Sequence, residues 1–169
     1  MAMSLNGYIA EENGSEDFLS HDNWEKFCAL AKEHGNFIVG RKTYEAVSGW
    51  DDGTSFDDIT GVKKVIISRE EDYKLKDGYI LADSPKDALS KLEGFDSALV
   101  VGGSTINSAF MKKGLIDEII LNIEPAILGS GIPLFTKDDF YKKLEFVLSE
   151  QSENGIVTLR YKVKKHEAS

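Results

Sequence analysis

The chain has 169 residues, of which 41% are hydrophobic and 29% charged, which is typical of one soluble globular domain with a substantial core. Its formal net charge of −9 argues against a nucleic-acid partner, because binding to that backbone depends on clustered Lys and Arg. No apolar run approaches the roughly 18 residues of a membrane span, and the start "MAMSLNGYIA" lacks the pattern of a signal peptide, so we predict a cytoplasmic protein with no membrane partner.

Four short apolar runs alternate with helical patterns over the first two thirds of the chain. Such runs are typical of strands that are buried on both faces of a largely parallel sheet. They are Asn36–Gly40, Lys64–Ser68, Gly78–Ala82 and Ser97–Val101. Between most of them, apolar residues at helical spacing and capping residues predict helices. These helices are Asn23–Glu33 with Gly35 just past its end, one capped by Ser84 with Pro85 at its first position and Gly94 as terminator, and Ile106–Lys113 before Gly114.

The last third of the chain indicates a change to antiparallel pairing. A strand is expected in "DEIILNIEP", and two more in "LEFVLSEQ" and "IVTLRYKVK". The dipeptide Asn154-Gly155 between the last two is a strong hairpin signal. We therefore predict an α/β fold with a mixed sheet flanked by helices, in one domain over residues 1–164 with a tail at 165–169.

Metal and thiol chemistry find no support in the residues. His21, His34 and His166 are scattered and Cys28 is the only cysteine, so no metal-ligand spacing exists and we predict no metal site. Cys28 lies on the apolar face of its predicted helix, which favours a buried and inert thiol. The nucleophile-elbow, P-loop and dinucleotide-binding glycine fingerprints are also missing from the sequence.

Three predicted strand ends carry residues that suit a phosphate. In "VVGGSTINSAF" the pair Gly102-Gly103 offers bare backbone just before a helix N-terminus. In "FIVGRKTYEAV" two cations and a hydroxyl follow Gly40, and in "VIISRE" Ser68 and Arg69 follow the strand. Ligands bind at the carboxyl ends of strands in parallel sheets, so the sequence predicts a phosphate site at this edge. The alternatives are a tight turn at the glycines and a solvated Arg-Lys pair.

This constellation resembles the dihydrofolate reductase superfamily over nearly the whole chain. "GRKTYE" and "VVGGSTI" are the most specific pieces, and "ILGSGIPLF" is similar to stand-alone members close to the riboflavin-pathway pyrimidine reductases. The resemblance implies an NADPH-dependent reductase with a central mixed sheet of about eight strands, mostly parallel and ending in an antiparallel hairpin. It also implies a cis peptide between the paired glycines.

The resemblance assigns cofactor roles to specific residues. It implies that residues 41–43 hold phosphates, that Ser68 and Arg69 meet the adenosine 2′-phosphate, and that residues 102–106 cradle the pyrophosphate. An Arg at the 2′-position independently favours NADPH over NADH, because NAD-selective sites commonly place an acid there. The complete predicted cofactor set is Asn13, Gly14, Gly40, Arg41, Lys42, Thr43, Ser68, Arg69, Gly102, Gly103, Ser104, Thr105 and Ile106.

The stretch "IAEENGSEDFLSHDNWEKF" resembles the family's mobile loop over the nicotinamide, followed by the first helix. The family passes a hydride to a C=N bond, and one carboxylate orients the heterocycle and assists protonation of the nitrogen. We match Asp22 to that carboxylate, assuming a one-residue slip in its spacing from Phe27, with Asp17 as the reserve. Asp22 and Glu25 also form a capping box, so a plain N-cap is the alternative. The predicted substrate residues are Ala2, Asp22, Phe27, Val47 and Asn122, with a core role as the alternative for Phe27.

Three functions remain open from the sequence. Reduction of dihydrofolate is favoured, because the loop "IAEENG" looks like a folate enzyme's and riboflavin enzymes carry an acid in the glycine motif, where this chain has "VVGG". The position of the folate-clamping Arg is Val62, with Lys63 beside it. The first alternative is reduction of 5-amino-6-(5-phosphoribosylamino)uracil, and the second is NADPH binding without catalysis. For a reductase we predict a small pterin or pyrimidine substrate as the partner, and we predict a monomer or homodimer.

Overall fold

The computed structural model describes residues 1–50 and 53–165. Of the predicted tail, residues 166–169 lie outside the described residues, whereas Lys165 forms an ion pair with Asp117 at 3.0 Å. The chain forms two compact units: a central unit, Trp24–Asn107, and a terminal unit, Met1–Asn23 with the chain from Ser108 onward. Within the two described ranges, no helix is both long and apolar enough to cross a membrane.

The chain combines strands and helices, with parallel strands in the central unit, which confirms the predicted α/β class. The strands are β1 (Ala2–Ser4), β2 (Tyr8–Ala10), β3 (Asn36–Gly40), β4 (Lys63–Ile67), β5 (Tyr79–Ala82), β6 (Glu118–Glu124), β7 (Ile132–Pro133), β8 (Leu144–Gln151) and β9 (Val157–Val163). The helices are α1 (His21–His34), α2 (Arg41–Ser48), α3 (Pro85–Ser90) and α4 (Ser104–Lys112), with a short 3-10 helix at Phe56–Asp58.

The central unit is built on the parallel ladder β3-β4-β5. All five residues of β3 are buried, as the unbroken apolar run predicted. Aromatic rings of α1 and of the 3-10 helix complete its core, where Phe27 packs edge-on against Phe37 and Phe56. Cys28 packs half-buried against the same core, and burial raises the pKa of its thiol, which keeps the reactive thiolate scarce.

The run Ser97–Val101 was predicted as a strand, and this prediction is wrong in detail. It forms one parallel bridge, between Ile38 and Val100, rather than a ladder. The Leu99 N–H donates to the side-chain oxygen of Asn36 at 3.2 Å, so a side chain takes the place of a backbone partner at this point. The segment still runs beside β3 and delivers Gly102 to the end of that strand, where the Gly40 N–H donates to Gly102 O at 2.7 Å.

Two helices begin earlier than predicted. Helix α1 begins at His21, so Asp22 lies in the first turn and is not the N-cap that the capping box predicted. The reason is that the Asn23 N–H donates to Ser20 O at 3.1 Å, which closes the first turn two residues earlier. Helix α4 begins at Ser104, directly after the paired glycines, rather than at Ile106. For α3, the Ser84 cap is confirmed, although the helix ends at Ser90 and turns lead on to Gly94.

The terminal unit holds a four-stranded ladder in the order β1-β6-β9-β8 and a two-stranded ladder, β2-β7. The β1-β6 pair is parallel, whereas the pairs β6-β9, β8-β9 and β2-β7 are antiparallel. The hairpin predicted at Asn154-Gly155 is confirmed, and its glycine has a φ of +82°, which side chains rarely allow. Among residues 1–50 and 53–165, three strand pairs are parallel and three are antiparallel, which is more antiparallel pairing than we predicted.

Strand β8 is the edge of the four-stranded ladder. Leu144, Phe146 and Val147 are exposed along it, and Phe146 is 58% exposed although its ring meets Tyr161 on β9. The register shifts between Phe146 and Leu148, so a bulge interrupts the edge near its middle.

Candidate functional site

The predicted phosphate edge forms within the central unit, where β3 ends against two neighbours. Gly40 pairs with Ile67 at the end of β4 and bonds Gly102 on its other side. A Cβ on Gly40 would lie 2.7 Å from Cγ1 of Ile106, in α4, so only glycine fits here without displacing that helix. The first turns of α2 and α4 therefore lie next to each other, with bare backbone between them.

The pair Gly102-Gly103 is joined by a cis peptide bond, as the resemblance implied. Gly102 has a φ of +96°, a conformation that residues with a side chain rarely adopt. A Cβ on Gly103 would lie 3.0 Å from Oγ1 of Thr43, which is tighter than almost all real contacts of that kind. The Thr43 hydroxyl thus faces the Gly103 backbone, which brings together two of the sequence-predicted segments.

Ser104 opens helix α4 and adds an orphaned hydroxyl to this place. It is 6% exposed, and its Oγ has no hydrogen-bond partner among residues 1–50 and 53–165. The first N–H groups of a helix also lack intrahelical partners and carry the positive end of its dipole. A buried free hydroxyl, bare glycine backbone and a helix N-terminus together fit the pyrophosphate of a dinucleotide. Thr105 is exposed and Ile106 half-buried in the same turn.

Arg41 is less free to bind a phosphate than the sequence predicted. Its guanidinium pairs with Glu45 at 3.1 Å and Glu70 at 3.2 Å, so two carboxylates already balance its charge. Lys42 and Arg69 are exposed and form no ion pair with any residue that the structure describes. The available positive charge therefore comes from Lys42 and Arg69.

Ser68 lies at the carboxyl end of β4, immediately before Arg69. It is buried, and its Oγ accepts the Glu70 N–H at 3.0 Å, while its own N–H donates to Ala82 O. These bonds fix the backbone that presents Arg69. Glu70, the acid next to Arg69, pairs with Arg41 at 3.2 Å, so its charge is partly balanced by another cation.

The proposed acid, Asp22, belongs to the terminal unit. It is half-buried, and its Oδ2 accepts a 2.6 Å hydrogen bond from Nδ2 of Asn154 in the hairpin turn. The reserve acid, Asp17, is exposed, and its N–H donates to the Ser15 hydroxyl. Sequence reasoning identified Asn154 only as a turn residue and missed its contact with Asp22, because no local pattern reveals a partner 132 positions away.

A buried carboxylate that the sequence analysis did not single out lies next to Asp22. Glu124, at the end of β6, is 4% exposed, and its Oε1 accepts bonds from the Ser20 N–H, the Ser20 hydroxyl and the Asn23 side-chain amide. These bonds hold the start of α1 against β6. A charged residue inside the apolar strand "IILNIEP" was the available signal. Asn23, rather than Asp22, stands four residues before Phe27, which is one helical turn.

The remaining predicted residues fall into three groups. Ala2 and Asn122 are brought together, because they are paired neighbours in the β1-β6 ladder, and Asn122 accepts a 2.8 Å bond from Thr158. Val47 instead lies in the buried core of the central unit. Phe27 packs against the same core, which fits the alternative given for it. Asn13 and Gly14 lie together in the loop before α1. Gly14 has a φ of +89°, and Asn13 lines a surface pocket of about 440 Å³ with residues 127–130.

Comparison with known proteins adds the family context. A sequence model of the RibD C-terminal domain matches residues 1–158. The Bacillus subtilis protein YwjB is 31% identical over 140 residues, which cover 80% of this chain and 79% of that protein. A solved structure of a candidate riboflavin biosynthesis protein from Shewanella sp. PV-4 matches with a TM-score of 0.79 at 26% identity, over 98% of this chain and 97% of that one. RibD of Acinetobacter baumannii matches with a TM-score of 0.77 at 22% identity, over 97% of this chain and 56% of that one. These matches confirm the predicted dihydrofolate reductase-like fold.

Proposed function

Because the chain belongs to the RibD C-terminal domain family, we propose that it is an NADPH-dependent reductase of 5-amino-6-(5-phosphoribosylamino)uracil. The name of the Shewanella protein supports a riboflavin-pathway substrate over dihydrofolate, which the sequence alone had favoured. One family model spans residues 1–158, which supports the proposal of a single reductase domain over residues 1–164.

The proposal rests on a cradle in the central unit, which consists of Thr43, the pair Gly102-Gly103 and Ser104. Gly103 faces Thr43 without a side chain between them, and the buried Ser104 hydroxyl has no partner in the described parts of the chain. A purely structural turn has no need for an unpaired buried hydroxyl, because such a group is unfavourable unless something bonds it. A pyrophosphate oxygen would accept that hydroxyl's hydrogen and the N–H groups of the first turn of α4.

The preference for NADPH follows from the charges around Ser68. Arg69 is exposed and unpaired within residues 1–50 and 53–165, and the bonds of Ser68 fix the backbone beside it. A guanidinium can form a charge-assisted, bidentate pair with a phosphate, whereas it gains little from a ribose hydroxyl. We therefore assign the 2′-phosphate to Arg69, with Ser68 beside it, and the remaining phosphates to Lys42, Thr43 and the residues of the cradle.

The chemistry assigned to the chain itself is proton delivery and orientation. The substrate gains a C=N bond when its ribose ring opens: the C1′–O4′ bond breaks, the amine proton moves to the ring oxygen, and C1′ forms a double bond to the nitrogen. A bound nicotinamide would supply a hydride to C1′. The π electrons of the C=N bond move to the nitrogen, which takes a proton and becomes an amine. We assign this proton to Asp22, directly or through water, because it is a half-buried carboxylate that the Asn154 amide holds in place.

The test is NADPH oxidation with the pyrimidine substrate prepared anaerobically, and with dihydrofolate in a parallel assay. We expect oxidation with the pyrimidine alone, and a product heavier by two hydrogens in mass spectrometry. Turnover of dihydrofolate in place of the pyrimidine would overturn the substrate assignment and would show that the protein is a dihydrofolate reductase. NADPH binding without oxidation of either substrate would leave the non-catalytic alternative.

A further inference from the structure

Asn23 presents a buried acceptor that nothing in the described chain satisfies. The side chain is 7% exposed, and its Nδ2 donates to Oε1 of Glu124. Its Oδ1 is buried and accepts no hydrogen bond from residues 1–50 or 53–165. Buried side-chain oxygens without a partner are rare in native proteins, so each one calls for a physical explanation.

Glu124 determines which end of the amide is left over. Its Oε1 already accepts the Ser20 N–H at 2.8 Å and the Ser20 hydroxyl at 2.7 Å. Because this oxygen acts as an acceptor, the amide nitrogen of Asn23 faces it and the carbonyl points away. Glu124 therefore fixes Asn23 as an acceptor, and the reverse orientation would set two oxygens against each other.

We propose that Oδ1 of Asn23 recognises an N–H donor of the pyrimidine substrate, and that Glu124 is the positioning residue that keeps this acceptor oriented. This inference rests on the proposed function. Asn23 follows the proposed acid directly and lies one turn before Phe27, on the same face of α1. The substrate's ring N–H and amino groups are donors of the kind that Oδ1 lacks. A site with a buried acceptor also rejects ligands without the matching donor, because their binding would leave it unpaired.

The experiment measures binding without turnover. The probe is the reaction product, 5-amino-6-(5-phosphoribitylamino)uracil, which retains the ring N–H and amino groups and is kept anaerobic during titration calorimetry. Asn23→Leu removes the acceptor at similar volume, and we expect the product to bind about tenfold to a hundredfold more weakly. Ser20→Ala is the matched control, since it removes one hydroxyl bond from the same carboxylate and leaves the Asn23 amide intact.

The control separates recognition from stability. Both variants lose one bond to Glu124, so both should melt at a lower temperature, but we expect Ser20→Ala to bind the product like the wild type. Unchanged binding by Asn23→Leu, or equal losses in both variants, would overturn the inference while the proposed function stands. Failure of the wild type to bind the product would overturn both together. If Asn23→Leu does not fold, Asn23→Ser replaces it, because serine is smaller and also lacks the side-chain carbonyl.

Discussion

Nδ2 of Asn154 donates a 2.6 Å hydrogen bond to Oδ2 of Asp22, which joins the tip of the β8-β9 hairpin to the first turn of α1. The hairpin turn therefore restrains one oxygen of the proposed acid. A helix N-cap does not require this restraint, since it bonds only the backbone of its own helix.

Replacing Asp22 by Asn tests the acid. Because Asn cannot deliver a proton, we expect turnover at neutral pH to fall by about 10²–10⁴-fold, the usual contribution of a general acid. The affinity for NADPH and the melting temperature should barely change, and part of the rate should return at low pH as solvent protonates the substrate. Asp17→Asn is the control and should keep normal turnover. The reverse pattern would make Asp17 the acid.

Asn154→Ala tests the restraint on that acid. No residue other than glycine has a positive φ in the described chain, so Ala fits the backbone at position 154. We expect kcat to fall about tenfold through loss of orientation, with no change in cofactor affinity. Glu153→Ala, in the same turn, is the matched control and should leave kcat unchanged. Equal kcat values for the two variants would show that the contact is only structural.

Arg69→Ala tests the choice of cofactor. A charge-assisted pair contributes roughly 1.5–3 kcal/mol, so the variant should bind NADPH about tenfold to a hundredfold more weakly and NADH nearly normally. Lys42→Ala provides the contrast, because a residue that meets phosphates common to both cofactors should weaken both alike. Fluorescence titration of each variant with each cofactor gives four dissociation constants, each to be compared with the wild-type value. Equal losses of NADPH and NADH binding in Arg69→Ala would refute the assignment.

Gly103→Ala tests the cradle. The new Cβ would press on Oγ1 of Thr43 at 3.0 Å and occupy the approach to the backbone. We expect the loss of NADPH affinity to exceed any loss of thermal stability. Gly129→Ala is the control, since a Cβ there meets nothing within 4 Å. A Gly103→Ala protein that folds and binds NADPH normally would reduce the glycine pair to a simple turn.

Glu16, in the loop before α1, should make the free energy of unfolding depend on pH. Burial raises the pKa of this carboxyl from 4.5 to about 7, so the folded state binds its proton more tightly than the unfolded chain does. Stability should therefore fall as the pH rises from 4.5 to 7, and the loss should persist above 7. Glu16→Gln removes this dependence, and we expect about 1–2 kcal/mol of added stability at pH 8 in urea unfolding. The exposed neighbour provides a control variant, Glu12→Gln, and an equal gain there would contradict the prediction.

Much of the fold could be predicted because its signals are local. The bounds of β3 and β8 agree with the sequence, since an unbroken apolar run and a hairpin dipeptide each act within a few residues. The cis peptide and the strand-end cradle followed from a motif of adjacent residues. The start of α1 was misplaced by two residues, because Ser20 and Asp22 are both residue types that favour an N-cap and the type alone does not choose between them.

The polar network around the proposed acid was beyond sequence reasoning for a different reason. Asn23 and Glu124 are 101 positions apart, and Asp22 and Asn154 are 132 apart. Each of these residues has an ordinary local role, in a helix start, a strand or a turn. Their pairing arises only when β6 and the hairpin come together in the terminal unit, so a single sequence carries no periodic trace of it.

The exposed edge of β8 affects how strongly the protein molecules associate in concentrated solution. Its apolar side chains, Leu144, Phe146 and Val147, favour pairing with strands of neighbouring molecules. The bulge and the charges of Glu145 and Glu150 oppose that pairing. This protection is largely electrostatic, and it disappears near the isoelectric point of about 4.9. We expect concentrated samples to cloud reversibly when acidified toward that pH, and to stay clear near pH 7, where the net charge is −9.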